Sequence, residues 1–350
     1  MRIVNLVENT AGADSCGYEH GLSFYVETER HRLLVDSGAT DLFLHNAETL
    51  GIDLRQVDAM VLSHGHYDHG GGIPAFVKIN PHAKIYMQRS AAGDYYHIEE
   101  DLEKYIGLDK KVMHMPQTVF VDGDQKLDEE LYLFSGIQKR NPVSAGNLKL
   151  KRREGDSYVQ DDFGHEQCLV ITQDQRHILM SGCAHNGILN IMDRYYEIFH
   201  EYPDMVISGF HMKKHGAYGP EEQEEIRKTA EALADTHAVF YTGHCTGQQA
   251  YEIMKEIMGD QLMPIHSGME IFISAQIREE NELLSDAVKK LLEVMEYDIP
   301  YTSKVLMEKL GLRSREGFRR NYLHPAIELN LVRMTIPDKP NSRNQRYMKA

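Results

Sequence analysis

The sequence predicts an α/β fold followed by a small winged helix-turn-helix domain. Short β-rich runs alternate with helical patterns over the first 275 residues, several of those runs end in metal-ligating residue types, and the pattern becomes mainly helical after that. A chain of 350 residues with 42% hydrophobic content is long enough for two domains. We therefore predict an α/β domain over residues 1–275, a linker over 276–282 and a winged-helix domain over 283–350.

The α/β prediction depends on where the β-rich runs end. Runs such as Ile3–Val7 and Met60–Leu62 alternate with helical patterns such as Pro220–Ala234 and Gln248–Met258. The runs that end in His, Asp or Cys are Val35-Asp36, Leu62-Ser-His64, Met180-Ser-Gly-Cys183-Ala-His185, Val206-Ile-Ser-Gly-Phe-His211 and Tyr241-Thr-Gly-His244. Because sites in α/β sheets gather outside the carboxyl ends of strands, we expect these residues to converge on one cleft.

The C-terminal part of the chain has a different pattern. Helical periodicity covers Glu280–Tyr297, Ser303–Leu310 and Ser314–Leu331, although Pro325 lies inside the last of these. The runs Val332–Ile336 and Gln345–Met348 then flank a turn. Three helices followed by a hairpin predict a winged helix-turn-helix.

Charge separates the two parts. Net charge is −15, but from Glu282 onward 13 Lys and Arg stand against 9 Asp and Glu, so the tail carries +4 and the preceding residues carry −19. The acidic part does not suit nucleic-acid binding, which rests on positive charge. Four scattered cysteines, no secretion-signal pattern and no apolar run of membrane-spanning length predict a cytoplasmic protein with no membrane partner.

The stretch Val61-Leu-Ser-His-Gly-His-Tyr-Asp-His-Gly-Gly-Gly72 carries the strongest chemical signal. It places His64, His66, Asp68 and His69 within six positions, between an apolar run and a glycine-rich turn. Imidazoles and a carboxylate suit a zinc-like divalent ion, and alternating ligands can serve two adjacent metals. The alternative, a histidine-rich surface segment before a helix, does not account for this spacing.

With this motif the sequence resembles the metallo-β-lactamase-fold hydrolases over about Met1–Ser274. The resemblance implies a four-layer αββα sandwich with a metal centre at one edge, braced by Asp36. It also implies that one metal is held by His64, His66 and His185 and the other by Asp68, His69 and His244. We expect two divalent ions, with zinc first and manganese or iron as alternatives.

One position departs from the family pattern. Many members place a bridging aspartate between the last two histidine ligands, whereas here the comparable run leads into Gly209-Phe-His211, and Asp204 lies before it. Two interpretations remain open: His211 is a metal ligand or a catalytic acid/base, or it only supports the other ligands. Asp68 is the second predicted catalytic residue, because it is placed to orient the nucleophile as well as to bind metal.

A closer resemblance is to the branch that includes the archaeal dihydropterin ribofuranosyl-aminobenzene-phosphate synthase. The stretches that carry it include Glu19-His-Gly-Leu-Ser23, His165-Glu-Gln167, Gly182-Cys-Ala-His-Asn-Gly-Ile-Leu-Asn190 and His244-Cys-Thr-Gly247. We predict a metal-dependent hydrolase that uses a metal-activated water on a small phosphorylated or ester-bearing substrate. Secreted β-lactamase activity and an oxygen-reducing di-iron function are disfavoured, since no signal peptide and no flavin domain are recognised.

The tail resembles the winged-helix module at the end of some Fic-like regulatory proteins. Its cations at Arg315, Arg319 and Arg320 and, on the wing, Lys339, Arg343 and Arg346 could face DNA, while a dimerisation or protein-docking role is the alternative. The second hypothesis for the whole chain is therefore a ligand-sensing regulator whose winged helix binds DNA or a protein partner. A homo-oligomer is compatible with either hypothesis.

Several weaker features adjoin the predicted site. Cys183 and Cys245 lie next to predicted ligands, and we interpret them as small buried thiols with metal ligation as the alternative. The residues Glu19, His20, His165 and Glu166 line the cleft in one interpretation and stabilise loops in the other. The basic segment Lys139, Arg140, Lys149, Lys151, Arg152 and Arg153 is interpreted as a solvated loop, with a phosphate clamp as the alternative.

Overall fold

The computed structural model describes residues 1–12, 16–100, 102–214, 216–273, 286–295, 299–312, 314–328, 331–335, 342 and 345–349. It divides the chain into two compact units, Met1–Ile273 and Ser274–Ala350. The predicted linker, 276–282, lies outside the described residues.

The N-terminal unit alternates strands and helices, as predicted. Its strands are β1 (Arg2–Val7), β2 (Ser23–Glu27), β3 (Arg32–Val35), β4 (Ala59–Val61), β5 (Lys84–Gln88), β6 (Tyr95–Glu99), β7 (Leu102–Tyr105), β8 (Thr118–Val121), β9 (Gln125–Lys126), β10 (Leu131–Phe134), β11 (Leu150–Glu154), β12 (Ser157–Gln160), β13 (Cys168–Gln173), β14 (Arg176–Met180), β15 (Met205–Ile207), β16 (Val239–Thr242), β17 (Leu262–Pro264) and β18 (Glu270–Phe272). Its helices are α1 (Leu42–Thr49), α2 (Tyr67–Gly70), α3 (Ile73–Ile79), α4 (Ile188–Phe199), α5 (Pro220–Ala234) and α6 (Gln248–Met258).

Two large sheets form the centre of this unit. One has the strand order β18-β1-β2-β3-β4-β5-β8 and the other β17-β16-β15-β14-β13-β10-β9. The pairs β3–β4 and β4–β5 are parallel in the first sheet, as are β14–β15, β15–β16 and β16–β17 in the second. The carboxyl ends of these parallel strands therefore lie together at one edge of each sheet.

Three buried clusters separate four layers. One cluster lies between the sheets and joins residues such as Val61 to Ile178. A second packs the first sheet on helices α1 and α3 through Phe43 and Phe76, and a third packs the second sheet on α4, α5 and α6. The order helix, sheet, sheet, helix confirms the predicted αββα sandwich.

Residue alternation along the strands explains why both faces of each sheet are covered. In β3, Leu33 joins the cluster between the sheets and Leu34 joins the cluster under the helices. In β13, Leu169 and Val170 divide in the same way. Because neighbouring strand residues point to opposite faces, runs of consecutive apolar residues require a sheet buried on both sides.

A smaller sheet with the order β12-β11-β6-β7 holds much of the basic segment. Lys151, Arg152 and Arg153 lie in β11, so the interpretation of this segment as a loop is wrong for them. The acidic partners are Glu99 for Lys149, Glu197 for Arg140, Glu154 for Arg152 and Asp94 for Arg153. These cations are therefore largely neutralised within the fold.

The C-terminal unit is mainly helical and has its own core. It contains α7 (Asp286–Glu293), α8 (Ser303–Lys309), α9 (Arg315–Phe318), a π-helical turn (Arg319–Leu323), α10 (His324–Glu328) and the hairpin of β19 (Val332–Met334) and β20 (Tyr347–Lys349). Its core includes Val288, Leu306, Phe318 and Val332. The winged-helix arrangement stays a prediction, and the wing positions Lys339 and Arg343 lie outside the described residues.

Within the described part of the chain, no helix combines the length and apolar character needed to cross a bilayer.

Candidate metal centre

The strand ends of the two large sheets bring together three of the predicted metal ligands. The ring of His64 lies 4.6 Å from that of His66 and 4.9 Å from that of His185, centroid to centroid, and the rings of His66 and His185 are also 4.9 Å apart. All three side chains are buried, and each Nε2 atom lacks a hydrogen-bond partner among the described residues. Three buried ring nitrogens without partners are costly unless something binds them, and a metal ion fits this need.

Hydrogen bonds on the other ring nitrogen hold two of these imidazoles in place. His64 Nδ1 lies 2.9 Å from Ser63 Oγ, and His185 Nδ1 lies 3.0 Å from Asn147 Oδ1. The Asn147 amide also donates to the His185 carbonyl at 2.7 Å. Each Nε2 is left without a hydrogen-bond partner among the described residues, which is the arrangement that metal-binding histidines need.

The other predicted group, Asp68, His69 and His244, also converges. His69 Nε2 and His244 Nε2 are 3.3 Å apart, and Asp68 Oδ2 lies 3.8 Å and 3.4 Å from them, respectively. A tetrahedral site with metal–nitrogen distances of about 2.1 Å has ligand–ligand edges of about 3.4 Å. The spacing of these atoms therefore fits a second divalent ion.

Two polar residues brace this second group. The buried Asp36 carboxylate accepts from Ser63 N and Ser63 Oγ at 2.7 Å each and contacts His69 Nδ1 at 2.6 Å. Asn9 Oδ1 lies 2.9 Å from His244 Nδ1, and the Asn9 amide donates to the His244 carbonyl at 3.1 Å. The bracing role implied for Asp36 thus has a direct structural basis, whereas no sequence pattern pointed to Asn9 or Asn147.

The protonation states differ between the two groups. Burial lowers the pKa of His64 and His185 well below the ordinary value and lowers that of His66 to about 3. These rings are neutral at pH 7 and need lose no proton to bind a metal. Burial also acts against the charged form of His69, but the Asp36 and Asp68 carboxylates outweigh it and raise the pKa of His69 to about 9.

Asp68 is ionised in this environment. Burial opposes the charge, but His69 and His244 beside the carboxylate outweigh burial and lower the pKa of Asp68. Its Oδ2 also lies 3.3 Å from His20 Nε2. The charged carboxylate can both bind a cation and accept a hydrogen bond.

His211 lies beside the first group. Its ring centroid is 4.1 Å from that of His185, and its buried Nδ1 has no hydrogen-bond partner among the described residues. The ligand atoms that cluster with it belong to Cys183 and Cys245, and its backbone N–H donates to Cys245 Sγ at 3.2 Å. Its predicted role as a ligand or acid/base stays a prediction.

The two cysteines lie closer to the ligands than their interpretation as simple buried thiols requires. Cys183 Sγ is 3.2 Å from His69 Nε2. It also clusters with His64 and His185, with every ligand atom within 4.8 Å of the others. Cys245 Sγ contacts the Cys183 carbonyl at 3.6 Å.

The four weaker candidates divide into a cavity residue and structural supports. His20 lines the cavity described below. Glu166 accepts from the backbone N–H groups of His185 and Asn186, at 2.7 Å and 3.1 Å. His165 is held in a similar way, because its ring contacts Gly65 N and the Asp161 carboxylate. The Glu19 carboxylate accepts from the backbone N–H groups of Ala39 and Thr40.

Backbone strain also marks the site. Asp36, Ala184, His211 and His244 have φ values of 56°, 51°, 48° and 49°, a left-handed conformation that residues other than glycine seldom adopt. All four follow strands that end at the candidate metal centre. Such strain costs roughly 1–3 kcal/mol per residue and is typical of functional sites.

A cavity of about 240 Å³ adjoins the candidate metal centre. Its lining includes Asp68, His66, His185, His211, His244 and both Cys183 and Cys245. The small sheet supplies part of the remaining wall through His97, Lys104 and Leu150. The cavity therefore joins predicted metal-ligating side chains to a wall that carries one ammonium group.

Comparisons with known proteins agree with this architecture. Residues 17–244 match the family described as the metallo-beta-lactamase superfamily, and residues 286–348 match the C-terminal domain of the filamentation induced by cAMP protein Fic-like. A crystal structure of Tm1679, a metal-dependent hydrolase of the beta-lactamase superfamily, is 28% identical with a TM-score of 0.68, over 78% of this chain and 99% of that one.

Two curated relatives are similar in sequence. The 7,8-dihydropterin-6-methyl-4-(beta-D-ribofuranosyl)-aminobenzene-5'-phosphate synthase of Methanocaldococcus jannaschii is 27% identical over 294 residues, which are 77% of this chain and 95% of the relative. A hydroxyacylglutathione hydrolase of Aeromonas hydrophila is 32% identical over 95 residues, 26% of this chain and 36% of the relative. The resemblances to the superfamily, the synthase and the Fic-like tail are thereby confirmed.

Proposed function

Because the chain belongs to the metallo-beta-lactamase superfamily, we propose that its N-terminal unit is a metal-dependent hydrolase of a small phosphorylated or ester-bearing molecule. The observation that carries this proposal is the set of three buried Nε2 atoms, of His64, His66 and His185, without hydrogen-bond partners among the described residues. Two of these residues, His66 and His185, line a cavity whose wall also includes an ionised carboxylate, Asp68. This arrangement suits metal-assisted hydrolysis.

The residues suited to hold the metals are the two groups described above, His64, His66 and His185 and then Asp68, His69 and His244. Zinc is the first choice, with manganese or iron as alternatives, since imidazole and carboxylate ligands suit all three. When bound, such an ion lowers the pKa of a coordinated water from 15.7 to about 7 and polarises a substrate oxygen. No serine or cysteine nucleophile is needed.

Asp68 and His211 are the two proposed catalytic residues. The Asp68 carboxylate accepts a hydrogen bond from the attacking water and so orients its lone pair toward the substrate. His211 lines the same cavity beside His185 and can deliver a proton to the leaving oxygen. Both roles require side chains that face the cavity, and both side chains contribute to its lining.

The cavity wall favours a substrate that carries an anionic group. Lys104 is exposed, and its Nζ donates to Tyr67 Oη at 3.1 Å, so its charge is not neutralised by that contact. An ammonium group at the cavity attracts a phosphate. The name of the Methanocaldococcus jannaschii relative contains a ribofuranosyl 5'-phosphate, which agrees with this preference.

The test combines metal analysis with a substrate screen on the full-length protein purified without chelators. We expect about two divalent ions per chain and metal-dependent turnover of at least one member of an ester, phosphodiester and phosphomonoester panel. Because the name of one relative contains a ribofuranosyl 5'-phosphate, the panel should include a ribofuranosyl 5'-phosphate ester. Metal binding without turnover of any panel member would reject the hydrolase proposal.

A second candidate function is regulation through the C-terminal unit. Arg315 and Arg320 are exposed, and Arg319 is half-buried. These cations suit contact with DNA phosphates or with an acidic protein partner. We expect the full-length Arg315→Ala/Arg319→Ala/Arg320→Ala variant to keep hydrolase activity and to lose DNA binding. Light scattering on both proteins would show whether the chain forms a homo-oligomer, and equal DNA affinity would reject this surface.

A further inference from the structure

Cys183 occupies a central place among the metal-ligating atoms. Three ligand clusters include its sulfur: one with His64 and His185, one with His69 and His244, and one with His211 and Cys245. In each cluster the ligand atoms lie within 4.8 Å of one another. The thiol therefore lies within 4.8 Å of ligand atoms from both proposed metal groups.

The backbone around Cys183 is shaped for this close approach. A Cβ atom at position 182 would overlap the Ser63 hydroxyl and lie 2.9 Å from His64 Nδ1, so only glycine lets the chain pass the histidine motif this closely. The next residue, Ala184, has a φ of 51°. This strained turn places Cys183 and His185 in the same cluster.

The carboxylate expected to bridge the metals has no counterpart at the described site. Asp204 lies before β15, where its Oδ2 accepts from His177 N at 2.8 Å. His211 follows the same strand, but its ring packs on His185 and its ligand atom clusters with the two cysteines. Of the described side chains, Cys183 is the one that appears in a cluster with each of the two histidine groups.

We propose that the Cys183 thiolate bridges the two metal ions, in the place that a carboxylate takes in other members of the superfamily. This inference rests on the proposed metal centre. On metal binding the Cys183 sulfur forms two metal–sulfur bonds and its proton passes to the solvent, with no change of oxidation state. Thiolate is a favourable ligand for zinc, and its 3.2 Å distance from His69 Nε2 fits two ligands of one ion.

Cys245 provides the matched control. It is also a buried cysteine next to a histidine ligand, but its sulfur accepts the His211 backbone N–H and clusters with neither His64 nor His69. Cys245→Ser should therefore leave the bridge intact. Cys183→Ser keeps a side chain of similar size, so the comparison separates ligand loss from loss of packing.

X-ray absorption spectroscopy of the full-length zinc protein gives a readout that does not depend on activity. We expect about one sulfur neighbour per zinc at about 2.3 Å. This signal should disappear in Cys183→Ser and persist in Cys245→Ser. The cobalt-substituted wild type should show a sulfur-to-cobalt charge-transfer band that follows the same pattern, and Cys183→Ser should bind its weaker metal at least tenfold less tightly.

The outcomes separate this inference from the proposed function. Two bound zinc ions without sulfur neighbours, or sulfur lost only in Cys245→Ser, would overturn the bridge and leave the hydrolase proposal in place. Half a sulfur per zinc, lost in Cys183→Ser, would make Cys183 a ligand of one ion and would also overturn the bridge. A protein that binds no metal would overturn both.

Discussion

Asn9 and Asn147 hold one histidine each by the same two hydrogen bonds, and this symmetry allows a sharp prediction. In each case the amide oxygen contacts the ring Nδ1, at 2.9 Å for His244 and 3.0 Å for His185, and the amide nitrogen donates to the carbonyl of the same histidine. Because the two histidines belong to different metal groups, each asparagine should control one metal only. We expect Asn147→Ala to weaken one metal-binding step and Asn9→Ala to weaken the other.

The magnitude follows from the contacts that are lost. Each substitution removes two hydrogen bonds, worth about 0.5–1.5 kcal/mol each, so about 1–3 kcal/mol of ligand orientation is lost. Since about 1.4 kcal/mol corresponds to a factor of ten, the affected affinity should fall roughly 10- to 100-fold. Loss of a hydrogen-bond partner behind a metal-bound histidine typically has an effect of this size.

The assay is competition between metal-free protein and a chromophoric chelator at fixed pH and ionic strength. The control is Asn5→Ala, which removes another buried asparagine whose side-chain atoms have no hydrogen-bond partner among the described residues. Both binding constants of this control should stay within about threefold of wild type, since no ligand loses its orientation. Thermal unfolding of all variants checks that the fold is intact.

Two results would refute the reasoning. If Asn9→Ala and Asn147→Ala weaken the same binding step, the two histidines do not serve separate metals. If neither variant changes either constant by more than threefold, the asparagines do not orient metal ligands.

Three further predictions concern the same unit. His64→Ala and His185→Ala should each lose bound metal and activity together, measured by elemental analysis and turnover, and full activity in either would reject the assigned ligands. In metal-free protein, NMR should show one imidazole that titrates near pH 9, and this titration should be absent in His69→Ala. Because the pKa of His69 is raised in the folded state, protonated His69 stabilises the fold fully below about pH 6.5. This stabilisation is lost as the pH rises through about 9, which pH-dependent denaturation should show. Lys104→Met should lower kcat/KM about tenfold for phosphorylated esters but not for neutral ones. The control, Lys126→Met at an exposed position, should leave kcat/KM for both kinds of ester unchanged. An equal loss on neutral esters in Lys104→Met would exclude a phosphate contact.

The sequence was most informative where the signal is local. His64 and His66 follow β4, and Asp68 and His69 lie in the adjoining α2. Their spacing in the sequence alone therefore predicts that they lie close together. The apolar runs of the strands likewise predict sheets that are covered on both faces. The resemblance to a known family then identified His185 and His244 as further candidates, and the structure clusters His185 with His64 and His244 with His69.

Prediction was weaker where a segment's conformation depends on its neighbours. Lys151–Arg153 has the composition of a solvated loop but forms a strand, because it pairs with β6 and β12 and its cations meet acidic residues. Glu19 and Glu166, which adjoin family motifs, hold backbone N–H groups of site loops. Their roles depend on which backbone groups those loops expose.

The sequence by itself thus determined the layered α/β class and a motif with the spacing of metal ligands, because periodicity and ligand spacing are properties of neighbouring residues. The tertiary structure decided which distant residues support that motif. Asn9 orients His244 across 235 residues of chain, and Cys183 reaches both histidine groups. Such contacts arise only when two sheets pack face to face and bring their strand ends to one edge. Local sequence patterns do not predict which distant residues then come into contact.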